Sequence, residues 1–225
     1  MSISKPVVLT VLAASALLAV TAAEASPAPL APGGSVDPVP TYTSTGTPTV
    51  DVLFQTPEQS VTQDGKTVGF QEFALATSLN PGGVVFAFAI TTSNNPTSLS
   101  AALAGYAGFT TSVESCDPFT AVTLCGTGTG IAARSSGTGD MLTFSSLGTT
   151  VLSGPVTVYA SNAYGIFTNA PHFTDPGVTV NDDGTSFAFR GVGPSATSTV
   201  PEPGTVALLG LGLLGTHLTR RRRRR

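Results

Sequence analysis

Apolar and polar residues alternate with a period of two along much of the chain between residues 49 and 190. The clearest run is residues 84–90, where Val84, Phe86, Phe88 and Ile90 share one face and smaller apolar residues share the other. Alternation is typical of a β-strand, and apolar residues on both faces predict a strand that is covered on both sides. We therefore place residues 84–90 in the interior of a sheet.

Other short alternating runs follow the same pattern and are separated by turn signals. They predict strands at residues 49–54, 68–77, 109–115, 141–147, 156–160, 163–167, 178–180 and 186–190. Glycine next to aspartate or asparagine favours the tight turns of β-hairpins. Such turns are predicted at Asp64-Gly65 and Asn181-Asp182-Asp183-Gly184, and Asn80-Pro81-Gly82-Gly83 predicts a further turn.

One segment, residues 98–106, fits a different pattern. Leu99, Leu103 and Tyr106 have the spacing of one stripe of a short helix, although Gly105 and Gly108 disfavour it. The many short strands predicted before and after this segment still indicate an all-β fold. We predict that residues 49–190 form one all-β domain, an antiparallel β-sandwich or jelly-roll-like fold.

The residues before this domain divide into two parts. Residues 1–25 have the layout of a secretory signal peptide, with Lys5 before an apolar helical stretch at 7–20 and Ala23-Glu24-Ala25 before the cut. Cleavage is expected between Ala25 and Ser26, because this stretch of 14 residues is shorter than the ~20 residues of a stable membrane span. Residues 26–48 are rich in proline and predict an extended linker, and residues 191–199 predict a second linker.

Residues 200–225 combine three features in a fixed order. Pro201-Glu202-Pro203 comes first, an apolar run at residues 205–218 follows, and a cluster of six arginines comes last: Arg220, Arg221, Arg222, Arg223, Arg224 and Arg225. The apolar run predicts a short transmembrane helix of roughly 21 Å, against a hydrocarbon core of ~30 Å. Arginines beside a span stay on the cytoplasmic side. The body of the chain is therefore expected outside the cytoplasm.

These three features resemble the PEP-CTERM sorting signal of Gram-negative bacteria. The resemblance covers residues 200–225 and implies recognition by an exosortase, a membrane-embedded protease-transpeptidase that processes its substrates near the Pro-Glu-Pro motif. It implies an intermediate anchored in the inner membrane, followed by delivery to the cell surface, the outer membrane or the extracellular matrix. The partners that it implies are the export machinery and the exosortase-type enzyme, with exopolysaccharide as a further candidate.

Charge is distributed unevenly along the chain. Residues 26–200 contain three basic and eleven acidic residues, which gives this part a net charge of −8. The arginine cluster hides this in the whole-chain value of −3. An acidic body argues against nucleic acid as a partner.

Cys116 and Cys125 are the two cysteines of the chain. In an exported protein they favour a disulfide, which would close a loop of about ten residues. A metal site or a catalytic thiol are the alternatives. Neither cysteine has a histidine near it in the sequence, as a zinc site would require.

Few other residues suggest chemistry. His172 lies in a loop-like segment without a serine-nucleophile motif, so we predict no catalytic residues and no enzymatic activity. Asp182 and Asp183 are weak candidates for a calcium site, although their most direct role is a turn. Four tyrosines and no tryptophan offer a limited platform for a carbohydrate.

These observations lead to one functional prediction. We expect an exported protein of the cell surface or matrix with a structural or adhesive role in the envelope or biofilm, and with no cofactor. The alternative is a surface module that binds carbohydrate or calcium.

Overall fold

The computed structural model describes residues 27–40, 49–115, 130–152 and 157–197. Within these ranges the chain is all-β, every strand pair is antiparallel, and no helix occurs. This confirms the all-β, antiparallel part of the predicted fold class. The strands are β1 Ala28–Pro29, β2 Ser35–Val36, β3 Val50–Gln55, β4 Gln59–Gln63, β5 Lys66–Thr77, β6 Val85–Thr92, β7 Leu99–Leu103, β8 Thr111–Ser115, β9 Ile131–Arg134, β10 Leu142–Ser145, β11 Thr149–Leu152, β12 Val158–Ser161, β13 Tyr164–Thr168, β14 His172–Thr174, β15 Gly177–Asp182, β16 Thr185–Arg190 and β17 Gly193–Ser195.

The strands form a large sheet of nine strands, a small sheet of six and the two-stranded pair β14–β17. In the large sheet, β6 pairs with β5 on one side and with β12 and β13 on the other. The sheet continues from β13 through β8 to β1, and from β12 to β11. In the small sheet the order is β16-β15-β7-β10-β9-β2. The interior position predicted for residues 84–90 is confirmed.

A long hairpin forms one margin of the large sheet. β3 and β4 lie end to end along β5, pairing with its second and first halves. The register of β3 shifts between Val52 and Phe54, as in a β-bulge. Asp64 and Gly65 make the turn with φ values of 51° and 75°, which is the conformation that an Asp-Gly hairpin turn requires. The predicted hairpin is confirmed.

Aromatic side chains of the large sheet contact aromatic side chains of the small sheet. The ring of Phe88 on β6 lies 5.1 Å from that of Phe144 on β10, in an edge-to-face arrangement. The ring of Phe70 on β5 lies 5.5 Å from that of Phe189 on β16. Edge-to-face and offset pairs at these distances stabilise the packing beyond the area that they bury. The main apolar core therefore lies between the large and the small sheet.

The opposite face of the large sheet also carries buried apolar side chains. Leu75, Val85, Ala87 and Phe167 form a second cluster there, and Phe73 packs against it. Val85 and Ala87 alternate along β6 with Phe86 and Phe88 of the main core. This agrees with the prediction that this strand is covered on both faces.

Three segments differ from the sequence prediction. Residues 99–103 form β7 and not a helix, because their side chains alternate between buried and half-buried positions within the small sheet. β1 and β2, together with the buried side chains of Leu30 and Val39, lie within the predicted linker 26–48. β17 and the buried Val192 lie within the predicted linker 191–199. Proline and glycine are compatible with short edge strands, so composition alone does not distinguish such strands from a linker.

Gly83 is expected to be intolerant of a side chain. A Cβ atom there would overlap the backbone oxygen of Thr168, whereas a Cβ at Gly177 would meet nothing within 4 Å. We expect Gly83→Ala to lower the free energy of unfolding by about 2 kcal/mol, because backbone must move to make room. The matched variant Gly177→Ala should change it by less than about 0.5 kcal/mol. Denaturant unfolding of both variants measures the difference, and equal stability would contradict the close approach at Gly83.

Candidate functional site

The turn between β15 and β16 contains the two calcium candidates, and the structure gives them different surroundings. Asp182 is fully buried. Its Oδ2 accepts a hydrogen bond from Thr92 Oγ1 at 2.7 Å, and its Oδ1 accepts one from Asn94 Nδ2 at 3.2 Å. Lys66 Nζ lies 3.5 Å from Oδ1 and donates to the backbone oxygen of Asp182 at 2.8 Å. Asp182 therefore joins the start of β5 in the large sheet to the end of β15 in the small sheet.

Asp183 fixes the neighbouring loop. Its Oδ1 accepts hydrogen bonds from Thr97 N, Thr97 Oγ1 and Ser98 N at 2.9, 2.7 and 2.7 Å. The Thr97 hydroxyl, followed by the amide of Ser98, lowers the pKa of this carboxyl below its ordinary value. Asp183 and Gly184 have φ values of 46° and 83°, as the predicted hairpin turn requires.

The other acids and the histidine lie apart from this turn. Asp140 Oδ1 accepts from Gly105 N at 3.2 Å, and Asp175 lies 4.0 Å from the guanidinium of Arg190. His172 is exposed at the start of β14. Across residues 27–40, 49–115, 130–152 and 157–197, no three of the side chains of His, Cys, Asp and Glu form a group that could hold a metal ion. The calcium candidates remain a prediction.

Two of the tyrosines that could contact a carbohydrate belong to the core. Tyr106 and Tyr164 are fully buried, and the ring of Tyr164 stacks on Phe88 at 5.5 Å. Burial raises the pKa of both phenols. Tyr159 on β12 is half-buried. Aromatic rings in the core stabilise packing and are inaccessible to a sugar.

Arg134 is a buried cation that the sequence analysis did not single out. It lies on β9 with 5 % of its surface exposed. Its guanidinium donates to four backbone oxygens: from Nε to Gly139 at 2.8 Å, from Nη1 to Leu30 at 3.1 Å, and from Nη2 to Tyr106 at 2.6 Å and Phe109 at 2.8 Å. The planar fork of donors suits several acceptors at once. Arg134 thereby holds three separate segments against β9.

Glu72 is a buried acid that the sequence analysis also passed over. It lies on β5 on the same face as Phe70 and Ala74, which belong to the main core. Its Oε2 accepts a hydrogen bond from Val192 N at 2.8 Å, and its Oε1 has no partner. Burial raises the pKa of this carboxyl from 4.5 to about 8, against the opposing effect of the Val192 hydrogen bond. The alternation along the strand could have indicated this burial, because residue 72 lies two positions from Phe70 and from Ala74 and therefore on the same face.

Several predicted site residues lie outside the described residues. These are Ala25 and Ser26 of the signal cleavage site, the Cys116–Cys125 pair, the Pro201-Glu202-Pro203 motif and the arginine cluster. The disulfide and the cleavage site therefore remain predictions. Searched over its described residues, the structure contains no helix with the length and apolar character of a membrane span.

The comparisons with known proteins identify the sorting signal. Residues 199–224 match the family model of the PEP-CTERM protein-sorting motif, which confirms the predicted resemblance. No curated protein and no solved structure matches the chain. The motif indicates an exported protein that passes through a membrane-anchored intermediate and is processed by exosortase-type machinery.

Proposed function

We propose that the chain is a structural or adhesive protein of the cell surface or extracellular matrix of a Gram-negative bacterium. Its body is an antiparallel β-sandwich, and it carries out no catalysis. The observation that carries this proposal is the sorting motif at residues 199–224. A motif that specifies export and surface sorting leaves the exported domain to act outside the cytoplasm.

The described polar groups support a structural role. The acids that the sequence offers for chemistry, Asp182 and Asp183, accept hydrogen bonds from the protein itself. Arg134 is used in the same way, as a donor to four backbone oxygens. Buried polar groups that are satisfied internally make the fold specific and rigid. A domain with such a rigid fold suits a structural role.

Sorting is tested with the full chain in a host that carries an exosortase. We expect the native chain to appear beyond the inner membrane in a shortened form. Replacing Pro201, Glu202 and Pro203 by alanine should leave a full-length form in the inner membrane, because the processing enzyme loses its motif. Changing all six residues of the arginine cluster to glutamine should weaken retention on the cytoplasmic side, whereas the matched change to lysine should preserve it. Subcellular fractionation and intact mass distinguish these outcomes, and full-length native chain in the cytosol would contradict the proposal.

The role itself is tested by deletion in the producing organism. Loss of the gene should reduce surface attachment and the amount of cohesive matrix. Complementation should restore both properties with the native chain but not with the alanine variant of the sorting motif. Unchanged attachment and cohesion in the deletion strain would contradict a structural or adhesive role, while the fractionation result would stand.

A further inference from the structure

We propose that the protonation state of Glu72 controls how firmly the last part of the domain is attached. Residues 191–195, here called the exit segment, connect β16 to the residues that precede the sorting motif at 199–224. With Glu72 neutral, the exit segment stays docked on the domain. Ionisation of Glu72 releases it while the two sheets remain folded.

The carboxyl group of Glu72 lies directly against the exit segment. Its Oε2 accepts from Val192 N at 2.8 Å. A Cβ atom added to Gly191 would lie only 2.8 Å from the same oxygen and would overlap the side chain of Val178. The backbone at residues 191 and 192 therefore covers the carboxyl group closely, and its displacement would expose the group to water.

Few backbone hydrogen bonds hold the exit segment in place, although its residues 191–194 are buried. Gly191 N donates to the backbone oxygen of Pro176 at 2.9 Å. Val192 is 2 % exposed and contributes to the main core. β17 pairs with β14 over three residues, in a sheet of its own. Short strands with few partners open at a lower free energy than the strands of a large sheet.

The other oxygen of Glu72 makes the charged form costly. Oε1 is buried and has no hydrogen-bond partner, and the nearby hydroxyl of Tyr106 is also buried without a partner. No Lys, Arg or His among the described residues lies within ion-pair distance of Glu72. Contact with water or protonation would lower the free energy of an unpaired carboxylate in such surroundings. Opening the exit segment provides the first of these, and protonation provides the second.

The titratable groups around this contact are few. Tyr106 follows β7 and interacts electrostatically with Glu72, and Tyr164 on β13 stacks on the neighbouring Phe88. Near the exit segment, His172 lies on β14, and Asp175 and Arg190 lie at the surface. On the segment between β3 and β4, Glu58 is exposed. Burial is the largest cause of the raised pKa of Glu72, and none of these groups contributes to it.

Tryptic cleavage tests the proposal on the exported chain. Residues 26–200 contain three basic residues, Lys66, Arg134 and Arg190, so trypsin reports on three places in the domain. The bond after Arg190 adjoins the exit segment, whereas Lys66 and Arg134 lie in β5 and β9. We expect cleavage after Arg190 to increase about tenfold between pH 7 and pH 9, once corrected with a small peptide substrate, and then to level off. Lys66 and Arg134 should stay uncut.

Matched variants assign the effect to Glu72. In Glu72→Gln, cleavage after Arg190 should not change with pH, because the amide keeps an acceptor for Val192 and cannot ionise. Glu72→Met, of similar length, serves the same purpose if the glutamine variant does not fold. His172→Asn should keep the native pH dependence. Cleavage at all three sites in parallel would indicate global unfolding and overturn the proposal, as would a native profile that is flat with pH.

Discussion

Above pH 8, Glu72→Gln is expected to be more stable than the native chain by up to about 5 kcal/mol. The native carboxyl has a pKa of about 8 in the folded chain and an ordinary value of 4.5. Between these values the unfolded chain releases a proton that the folded chain retains. Stability is therefore full below pH 4.5, falls as the pH rises, and reaches its lower plateau above pH 8. Glutamine carries no charge at any of these pH values, so the variant does not lose this stability as the pH rises.

Denaturant unfolding at pH 5, 7 and 9 measures this difference. At pH 5 the two chains should be similar in stability, because the folded carboxyl is neutral and resembles the amide. Glu58→Gln is the control, since it removes an exposed carboxyl group from the same hairpin margin. It should leave the native pH dependence unchanged. Parallel profiles for the native chain and Glu72→Gln would show that the buried carboxyl is not the source of the pH dependence.

Arg134→Met is expected to lower the free energy of unfolding by about 4 kcal/mol. Methionine fills much of the volume but leaves the oxygens of Leu30, Gly139 and Phe109 without the guanidinium. The oxygen of Tyr106 keeps only the Phe109 amide, at 3.3 Å. Each buried acceptor that loses its partner costs about 1–3 kcal/mol, less where water can reach it. The loss should affect the amino-terminal strands most, because Leu30 lies between β1 and β2.

Two further variants separate the hydrogen bonds from the charge. Arg134→Lys keeps the charge but has one compact ammonium in place of a planar fork, so it should recover only part of the lost stability. Arg190→Met removes an arginine whose side chain is 85 % exposed, and it should change stability by less than about 0.5 kcal/mol. Thermal and denaturant unfolding of the three variants give the comparison. Equal stability of Arg134→Met and Arg190→Met would contradict the role assigned to Arg134.

The sequence predicts many strands of the two sheets, because their local patterns agree with their surroundings, but it does not predict β4, β9 or β11. The alternation at residues 84–90 matches β6, whose two faces lie in two apolar clusters. The Asp-Gly pairs at 64–65 and 183–184 adopt positive φ values at both residues. In these segments the residue types and the turn chemistry both depend on near neighbours in the chain.

Local patterns do not reveal the buried charges or the short peripheral strands. Glu72 depends on Val192, which lies 120 residues away, and Arg134 depends on Leu30, 104 residues away. Neither partner can be inferred from composition. Residues 28–29 and 193–195 form strands because β8 and β14 lie beside them, although their own sequences favour extended linkers. Leu99 to Leu103 shows the same effect, since its neighbours β15 and β10 impose the strand.

The shifted register of β3 bears on whether a second copy of the chain can pair with this margin of the large sheet. β3 exposes Val52, Leu53 and Phe54 along a margin of the large sheet, where an uninterrupted strand would invite another molecule to add to it. The extra residue kinks the strand, so its free amides and carbonyls fall out of step with those of an incoming chain. This margin is therefore a poor template for strand addition by a second copy of the chain.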